Sequence, residues 1–200
     1  MFGIIRMFAL LILTVIGAYA VRKSKIINKR KWTFFVSLFT FVLLTVSCLF
    51  PIENSIITFS SPEKAYVYFY SYETELTVSG NETDFVSGSN HGTRSFLILP
   101  KTEKGWKTST GNDLRIVCKK HIDGITVAEI YKHKNFNDLY VVIHGVEGNR
   151  NKISDNAGSE FQSIKSSDYG NYYMYVAHIN SNEKSYCITI NGEEILLMEL

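Results

Sequence analysis

The sequence predicts an α+β protein built mainly of antiparallel, sandwich-like β-structure with one short helix, preceded by a hairpin of two apolar helices. Two long uncharged segments occur near the N-terminus, and after Glu75 short β-branched and aromatic runs alternate with Gly, Asn and Asp. A helix-start signal lies between these two parts. We therefore expect a helical hairpin at residues 1–52, a linker at 53–60 and a β-rich domain at 61–200.

The charges separate along the chain in the same way. All 19 acidic residues lie at or after Glu53, whereas seven of the 21 basic residues precede it. The formal net charge of +2 therefore describes neither part. Because the basic residues cluster beside the apolar segments and the remainder is acidic, we expect no nucleic-acid partner.

The two apolar segments, at 2–21 and 32–52, predict transmembrane helices. The second has 21 consecutive uncharged residues, close to the roughly 20 that a spanning helix needs. In the first, the long side chain of Arg6 can reach the headgroups. A cleaved signal peptide ending near Ala18-Tyr19-Ala20 is the alternative, but cleavage would leave the basic connector outside, against the usual charge bias.

The connector at 22–31 predicts the topology of this hairpin. Its basic residues, with the aromatic residue that follows them, are Arg22, Lys23, Lys25, Lys29, Arg30, Lys31 and Trp32. Short basic loops stay in the cytoplasm, and Trp favours the membrane interface. We therefore expect a multi-pass plasma-membrane protein that contacts the lipid bilayer, with the N-terminus and the C-terminal domain outside.

The β-rich domain begins with a helix signal and continues with hairpins. Ser61, Pro62 and Glu63 are typical of an N-cap, a first helical residue and a first-turn acid, so we expect a helix to about Tyr70, although its aromatic content also fits a strand. About nine strands follow, as one α+β domain or as a small lobe and a sandwich. Turns are predicted at Gly80-Asn81, 101–105, Asp123-Gly124 and Asn191-Gly192, with later strands at 139–144, 160–164, 172–179 and 186–190.

Cysteine chemistry gives one candidate bond. Cys118 and Cys187 both fall on predicted strands, so a disulfide across the sheet is possible in an oxidising compartment. Two separately buried thiols are the alternative, because spacing alone does not bring two Cα atoms within bonding reach. Cys48 lies in the second apolar helix as a small filler.

The other polar residues form no recognisable catalytic motif. The five histidines lack metal-ligand spacing, and no nucleophile signature is present, so we expect no cofactor and no metal. Single carboxylates such as Asp123 lie in turns, where they bond the local backbone. The glycines at Gly145 and Gly148 follow a strand but precede polar residues instead of a helix, which predicts a loop and not a phosphate site.

Three short motifs carry a resemblance to a group of proteins. Ser61-Pro62-Glu63-Lys64-Ala65 follows the hairpin, Gly105-Trp106-Lys107 lies in the middle, and the segment from Ile190 to Ile195 lies near the C-terminus. This arrangement resembles small uncharacterised membrane-anchored proteins of Gram-positive bacteria. The resemblance implies a bacterial plasma membrane and a domain that faces the cell wall, and it brings no activity or site residues.

These observations favour a non-enzymatic interaction module tethered to the membrane. Its partner would be another envelope protein, a peptide or a wall polymer. A hydrolase or transferase acting on envelope substrates is the alternative, and it requires His144 or His178 to lie beside a carboxylate and a hydroxyl in one concave site. A protein that protects against a secreted toxin is the third hypothesis.

Overall fold

The computed structural model describes residues 2–23, 28–49, 57–90, 93–108, 113–148, 152–165, 171–180 and 185–199. The chain divides into two compact units, Met1–Glu53 and Asn54–Leu200. The first is helical and the second is mainly antiparallel β-structure.

The first unit contains helix α1 (Phe2–Lys23) and helix α2 (Lys29–Leu49). Asn28 precedes α2 with a positive φ of 70°, and its carbonyl accepts hydrogen bonds from the first turn of that helix. The hydroxyls of Thr40 and Thr45 donate to carbonyls four residues earlier, as their positions in an apolar helix predict. Large apolar side chains remain exposed on both helices.

The transmembrane prediction is wrong. In the part of the chain that the structure describes, no helix has both the length and the apolar character needed to cross a membrane. The uncharged stretch of α1 between Arg6 and Arg22 is about 22 Å long, and that of α2 from Trp32 to Leu49 is about 27 Å, against roughly 30 Å of hydrocarbon. The predicted two-helix span and the multi-pass plasma-membrane location are thus both contradicted.

The second unit opens with helix α3 (Pro62–Tyr70), which confirms the predicted helix. Ser61 is its N-cap, and its hydroxyl accepts a hydrogen bond from the backbone N–H of Lys64 at 3.3 Å. Ser71 is the C-cap of the helix, with its backbone in the left-handed region, and its N–H donates a hydrogen bond to the carbonyl of Val67. Tyr66 is fully buried, and its hydroxyl donates to the carbonyl of Ser95.

The strands among the described residues form three antiparallel sheets. The first, in the order β1-β2-β3-β4, contains β1 (Leu76–Ser79), β2 (Thr83–Asn90), β3 (Thr93–Thr102) and β4 (Gly105–Trp106). The second, in the order β5-β6-β7-β10-β9, contains β5 (Leu114–His121), β6 (Val127–His133), β7 (Leu139–Glu147), β10 (Tyr172–Ile179) and β9 (Gln162–Lys165). The third, in the order β12-β11-β8, contains β12 (Glu193–Glu199), β11 (Ser185–Ile190) and β8 (Ile153–Asp155).

The five-stranded sheet has an apolar core on each face. Alternate residues of β7 point in opposite directions: Val142 packs with Phe85 of the four-stranded sheet, whereas Val141 packs with Ile188 of the three-stranded sheet. All four side chains are fully buried. A strand covered on both faces needs apolar residues at successive positions, which explains the run from Tyr140 to Ile143.

Strand β5 lies at one edge of the central sheet and is largely exposed. Ile116 and Val117 expose 54% and 45% of their surface. The register with β6 shifts between Ile116 and Cys118, so Val117 forms a bulge. Lys119 and Lys120 follow it, and this edge is therefore both bent and basic.

The β-rich prediction is confirmed, and the differences are local. Each predicted turn joins two paired strands, and the last hairpin has Asn191 and Gly192 at positive φ, as its sequence predicts. Strand β8 was not predicted, because three residues are too few to show a strand pattern. The sequence predicted a loop from Gly145 onward, and this is wrong for Gly145 to Glu147 because β7 continues to Glu147.

Candidate functional site

A groove of about 510 Å³ lies in the β-rich unit, where several strand ends and turns meet. We call it the turn groove. Its lining residues are Asp123, Gly124, Ile125, Thr126, Gly145, Val146, Glu147, Tyr172, Ile190 and Asn191. They come from the β5–β6 turn, the end of β7, the start of β10 and the β11–β12 turn, so the groove joins the central and the three-stranded sheets.

The β5–β6 turn is held by the carboxylate of Asp123. One of its oxygens accepts hydrogen bonds from the backbone N–H groups of Ile125 (2.7 Å) and Thr126 (2.6 Å). The other accepts from the Thr126 hydroxyl at 2.8 Å. These bonds, with the backbone N–H of Thr126 first, hold the pKa of Asp123 below its ordinary value. The side chain is therefore a fixed negative charge at neutral pH, and its predicted backbone-bonding role is confirmed.

The floor of the groove depends on a glycine in β7. Gly145 has a φ of +75°, and a Cβ atom built on it would lie 2.4 Å from the carbonyl oxygen of Ile125. The same strand is out of register with β10 between Tyr173 and Tyr175, which is a bulge. Only glycine combines this φ with such a close approach, and the turn can therefore pack directly on the strand.

The opposite wall is formed by a strand pair and the last hairpin. Tyr172 lies directly across from Glu147 in the β7–β10 ladder. Asn191 occupies the β11–β12 turn, where its N–H donates to the carbonyl of Lys152 at 3.2 Å. The positions of all these groups are thus set by backbone pairing.

The lining combines charge, hydroxyls and apolar surface. Among the lining residues, Asp123 and Glu147 are acidic and none is basic. Ile125 is 57% exposed, so apolar surface is available to a ligand without rearrangement. Such a mixture of an aromatic, carboxylates and apolar side chains is suited to binding a polar or cationic ligand.

His178 lies beside a carboxylate, which is one of the neighbours that would favour the enzyme alternative. Its Nε2 is 3.2 Å from Oδ1 of Asp138. However, the Asp138 carboxylate already accepts from the N–H groups of Asn81, Glu82 and Thr83 and from the Thr83 hydroxyl. Burial opposes its ionisation, but these bonds lower its pKa. Asp138 thus fastens the β1–β2 turn to the start of β7.

His144 belongs to a second cluster, around Glu129. The buried Glu129 carboxylate lies 2.7 Å from Lys119 Nζ and 3.5 Å from His144 Nε2, and it accepts the hydroxyl of Tyr131. Burial opposes its ionisation, but the bonds from Lys119 and Tyr131 lower its pKa. Burial lowers the pKa of His144 and outweighs the opposing effect of Glu129, so the imidazole is neutral at pH 7. Neither His144 nor His178 lines the turn groove.

The two cysteines of the β-rich unit are free thiols. Cys118 donates from Sγ to the carbonyl of Leu197 at 2.9 Å, which connects β5 to β12. Cys187 lies opposite Leu196 in the β11–β12 pair. Burial and the charge of Glu194 raise the pKa of Cys187, which makes it a poor nucleophile.

The residues predicted to anchor the chain in a membrane lie at helix ends of the first unit. Arg22 and Lys23 end α1, and Lys29 to Trp32 begin α2, while Lys25 lies outside the described residues. The ammonium group of Lys29 donates to the carbonyl of Arg22 at 2.9 Å. The Lys29 ammonium group thus caps the C-terminal end of α1, and no helix among the described residues could span a membrane.

The sequence predicted the two turns of the groove but not the groove itself. Asp123-Gly124 and Asn191-Gly192 were recognised as turns, and their sequences contain no information about their proximity. Glu147 was missed because it meets Tyr172 only through strand pairing. Gly145 was the useful signal, since a glycine within an apolar strand indicates a bulge or a close backbone approach.

Comparison of the chain with protein-family models, curated proteins and solved structures finds no match. Within the described residues, no group of three or more His, Cys, Asp or Glu side chains is placed to hold a metal ion.

Proposed function

We propose that the β-rich unit is a binding module and that its ligand occupies the turn groove. The observation that carries this proposal is the groove itself, a preformed concave surface of about 510 Å³ with mixed polar and apolar lining. Ligand sites in proteins commonly have volumes of roughly 300–1,000 Å³. The groove thus has room for a segment of a peptide or polymer.

The positions of the titratable groups favour binding over catalysis. A hydrolase needs a base, a nucleophile and an oxyanion site around one reacting atom. Neither His144, which precedes Gly145 in β7, nor His178 lines the groove, and the Asp138 carboxylate accepts four hydrogen bonds from residues 81–83. Within the groove, Asp123 is engaged with its own turn. These groups stabilise the fold, whereas the groove provides a concave surface on which a ligand can bind.

The rigidity of the groove also favours a binding role. Each wall is part of a ladder or a tight turn whose hydrogen bonds are already made in the free protein. A preformed site loses little conformational entropy when it binds, so modest contact area suffices for specific recognition.

The test is a titration of the full-length chain with a panel of small probes, followed by backbone amide chemical shifts. The panel contains blocked tripeptides that are basic, acidic or neutral, together with the trimer of N-acetylglucosamine. We expect at least one probe to shift the amides of Ile125, Gly145 and Tyr172, and to leave that of Gly105 in the β3–β4 turn unchanged.

A pair of variants then connects binding to the groove. Tyr172→Ala removes an aromatic wall, and we expect at least tenfold weaker binding of the probe. Phe69→Ala removes an exposed aromatic residue of α3 that does not line the groove, and it should change affinity less than twofold. Equal effects of the two changes, or no shift at the groove with any probe, would contradict the proposal.

A further inference from the structure

We infer that helix α2 is the contact surface of a dimer, in which the α2 helices of two copies of the chain pack antiparallel. The inference goes beyond the proposed binding function and does not depend on the turn groove. Three features of α2 support it: an apolar stripe that the hairpin leaves exposed, the order of large and small side chains along this stripe, and the position of the basic residues.

The first feature is an exposed apolar stripe with heptad spacing. Its members follow one another along α2 at alternating intervals of three and four residues: Trp32, Phe35, Phe39, Val42 and Val46. Their exposed fractions lie between 41% and 65%. This spacing keeps the side chains on one side of a helix, and it is the spacing with which helices pack on one another. We call this set the α2 stripe.

The α2 stripe is distinct from the side of the helix that contacts α1. On that side Thr33, Val36 and Thr40 are half-buried. A Cβ atom built on Gly17 of α1 would lie only 2.8 Å from Cγ1 of Val36, so the two helices approach closely there. At about 3.6 residues per turn, the stripe is turned from this contact by roughly 110°. The helical hairpin therefore leaves the stripe uncovered.

The exposed area is large enough for a stable dimer. A groove of about 610 Å³ lies along the first half of the stripe, and its lining residues are Asn28, Lys31, Trp32, Phe35, Val36 and Phe39. Leu38 and Leu43 flank the stripe and are also exposed. With these two leucines, the stripe exposes roughly 800 Å² per copy, which is about what each partner contributes to a standard interface. Contiguous apolar surface of this size is typical of an interaction site.

The order of the side chains along the stripe makes it complementary to itself. Aromatic residues occupy its first part, and the smaller Val42 and Val46 occupy its second. With a two-fold axis at Phe39, Trp32 of each copy lies opposite Val46 of the other, and Phe35 lies beside Val42. Large side chains then meet small ones, as interdigitated packing requires. A two-fold interface needs exactly this match between one surface and its own copy.

The basic residues favour the same orientation. Before Glu53 the chain has seven basic residues and no acidic one, and six of the seven lie between Arg22 and Lys31. Parallel packing would place these two basic groups side by side. In the antiparallel arrangement, Lys29 of one copy lies about 30 Å along the axis from Lys29 of the other, several times the Debye length of about 8 Å at physiological salt. Only the antiparallel dimer avoids this repulsion.

The experiment is sedimentation equilibrium of the full-length chain in buffer without detergent, over a wide range of protein concentrations. We expect a reversible equilibrium between the 22.8 kDa monomer and a dimer of twice this mass. Because Trp32 becomes buried in the dimer, the tryptophan emission should also shift to shorter wavelength as the concentration rises.

A matched pair of alanine changes localises the contact. Phe35 and Phe41 are both exposed on α2, by 58% and 67%, but Phe41 lies on another side of the helix. Phe35→Ala should raise the dimer dissociation constant at least tenfold, because each dimer loses two buried aromatic side chains. Phe41→Ala should change it less than twofold. Circular dichroism of both variants verifies that they are folded.

Photo-crosslinking tests the orientation without removing the aromatic group. A phenylalanine analogue that carries a benzophenone replaces Phe35, and the covalent dimer formed on irradiation is analysed by mass spectrometry. We expect attachment to residues 39–46 of the second copy. Attachment to residues 32–36 would show parallel packing and overturn the antiparallel arrangement.

The remaining outcomes test the second copy as the occupant of the stripe. A chain that stays monomeric at every concentration, or equal effects of the two alanine changes, would overturn the dimer. Crosslinks from position 35 to the β-rich unit of the second copy would also overturn it. If the chain instead binds vesicles of phosphatidylglycerol as a monomer, and Phe35→Ala weakens this binding, lipid covers the stripe and the inference fails.

Discussion

Substitution of Gly145 by alanine tests the geometry on which the turn groove depends. The residue has a φ of +75°, and its Cβ would lie 2.4 Å from the carbonyl oxygen of Ile125. The left-handed conformation costs an alanine about 1 kcal/mol relative to glycine. Moving the turn to relieve the overlap adds about 1–3 kcal/mol. We expect Gly145→Ala to reduce the free energy of unfolding by about 3 kcal/mol.

Two other glycines of the same region provide controls. Gly148 has a similar φ of +78°, but a Cβ on it meets nothing within 4 Å. Gly148→Ala should therefore show the cost of conformation alone, about 1 kcal/mol. Gly124 has open space and no positive φ, and alanine there should be neutral or slightly stabilising, by about 0.5 kcal/mol.

The assay is urea unfolding of the full-length chain and the three variants, followed by circular dichroism. The free energy of unfolding should be highest for Gly124→Ala, lower for Gly148→Ala and lowest for Gly145→Ala. If Gly145→Ala and Gly148→Ala unfold within about 0.5 kcal/mol of each other, the close approach of Ile125 to β7 is not present, and the floor of the groove must differ from the one described.

Two further predictions concern titratable groups outside the groove. Asp138→Asn replaces one oxygen that accepts N–H donors by an amide nitrogen and removes the charge, and it should lower the free energy of unfolding by about 2–4 kcal/mol at pH 7, measured by urea unfolding. Because the pKa of Asp138 is lowered in the folded state, this difference should shrink as the pH falls below about 3.8. An equal difference at pH 7 and pH 2 would refute the assigned hydrogen bonds. His144 and His133 have lowered pKa values in the folded state, so the unfolded chain takes up protons first and stability should decline as the pH falls below about 6.5. His144→Gln should make this decline shallower, and stability that stays constant between pH 7 and pH 5 in the parent chain would contradict the burial of these side chains.

The local signals in the sequence were sufficient to predict most of the β-rich unit. The Ser61-Pro62 start of α3 and the Asn191-Gly192 turn each specify a backbone conformation within a few residues, so no tertiary information is needed. Strand β8 is different. It is stabilised by pairing with β11, in which Ile153 lies opposite Ile190, and by packing of Ile153 on the core. Its own residues do not predict these partners.

The helical unit shows the limit of reading composition alone. The uncharged run from Trp32 to Ile52 was counted as one span, whereas helix α2 (Lys29–Leu49) begins with three consecutive basic residues, and residues 50–52 lie outside the described part of the chain. A count of uncharged residues does not show where a helix begins and ends. The groove was beyond prediction for a related reason, since the proximity of Tyr172 to Asp123 depends on the order of the sheets.

The bent and basic edge of the central sheet has a consequence for the behaviour of the chain in concentrated solution. An exposed flat strand is a template on which other molecules add strands and aggregate. Strand β5 opposes this addition through the bulge at Val117 and the cations of Lys119 and Lys120, although Ile116 stays exposed. Loss of the charge at Lys120 would therefore reduce solubility, whereas loss of the charge at Lys119 would also leave the buried Glu129 carboxylate without its nearest cation and would lower stability.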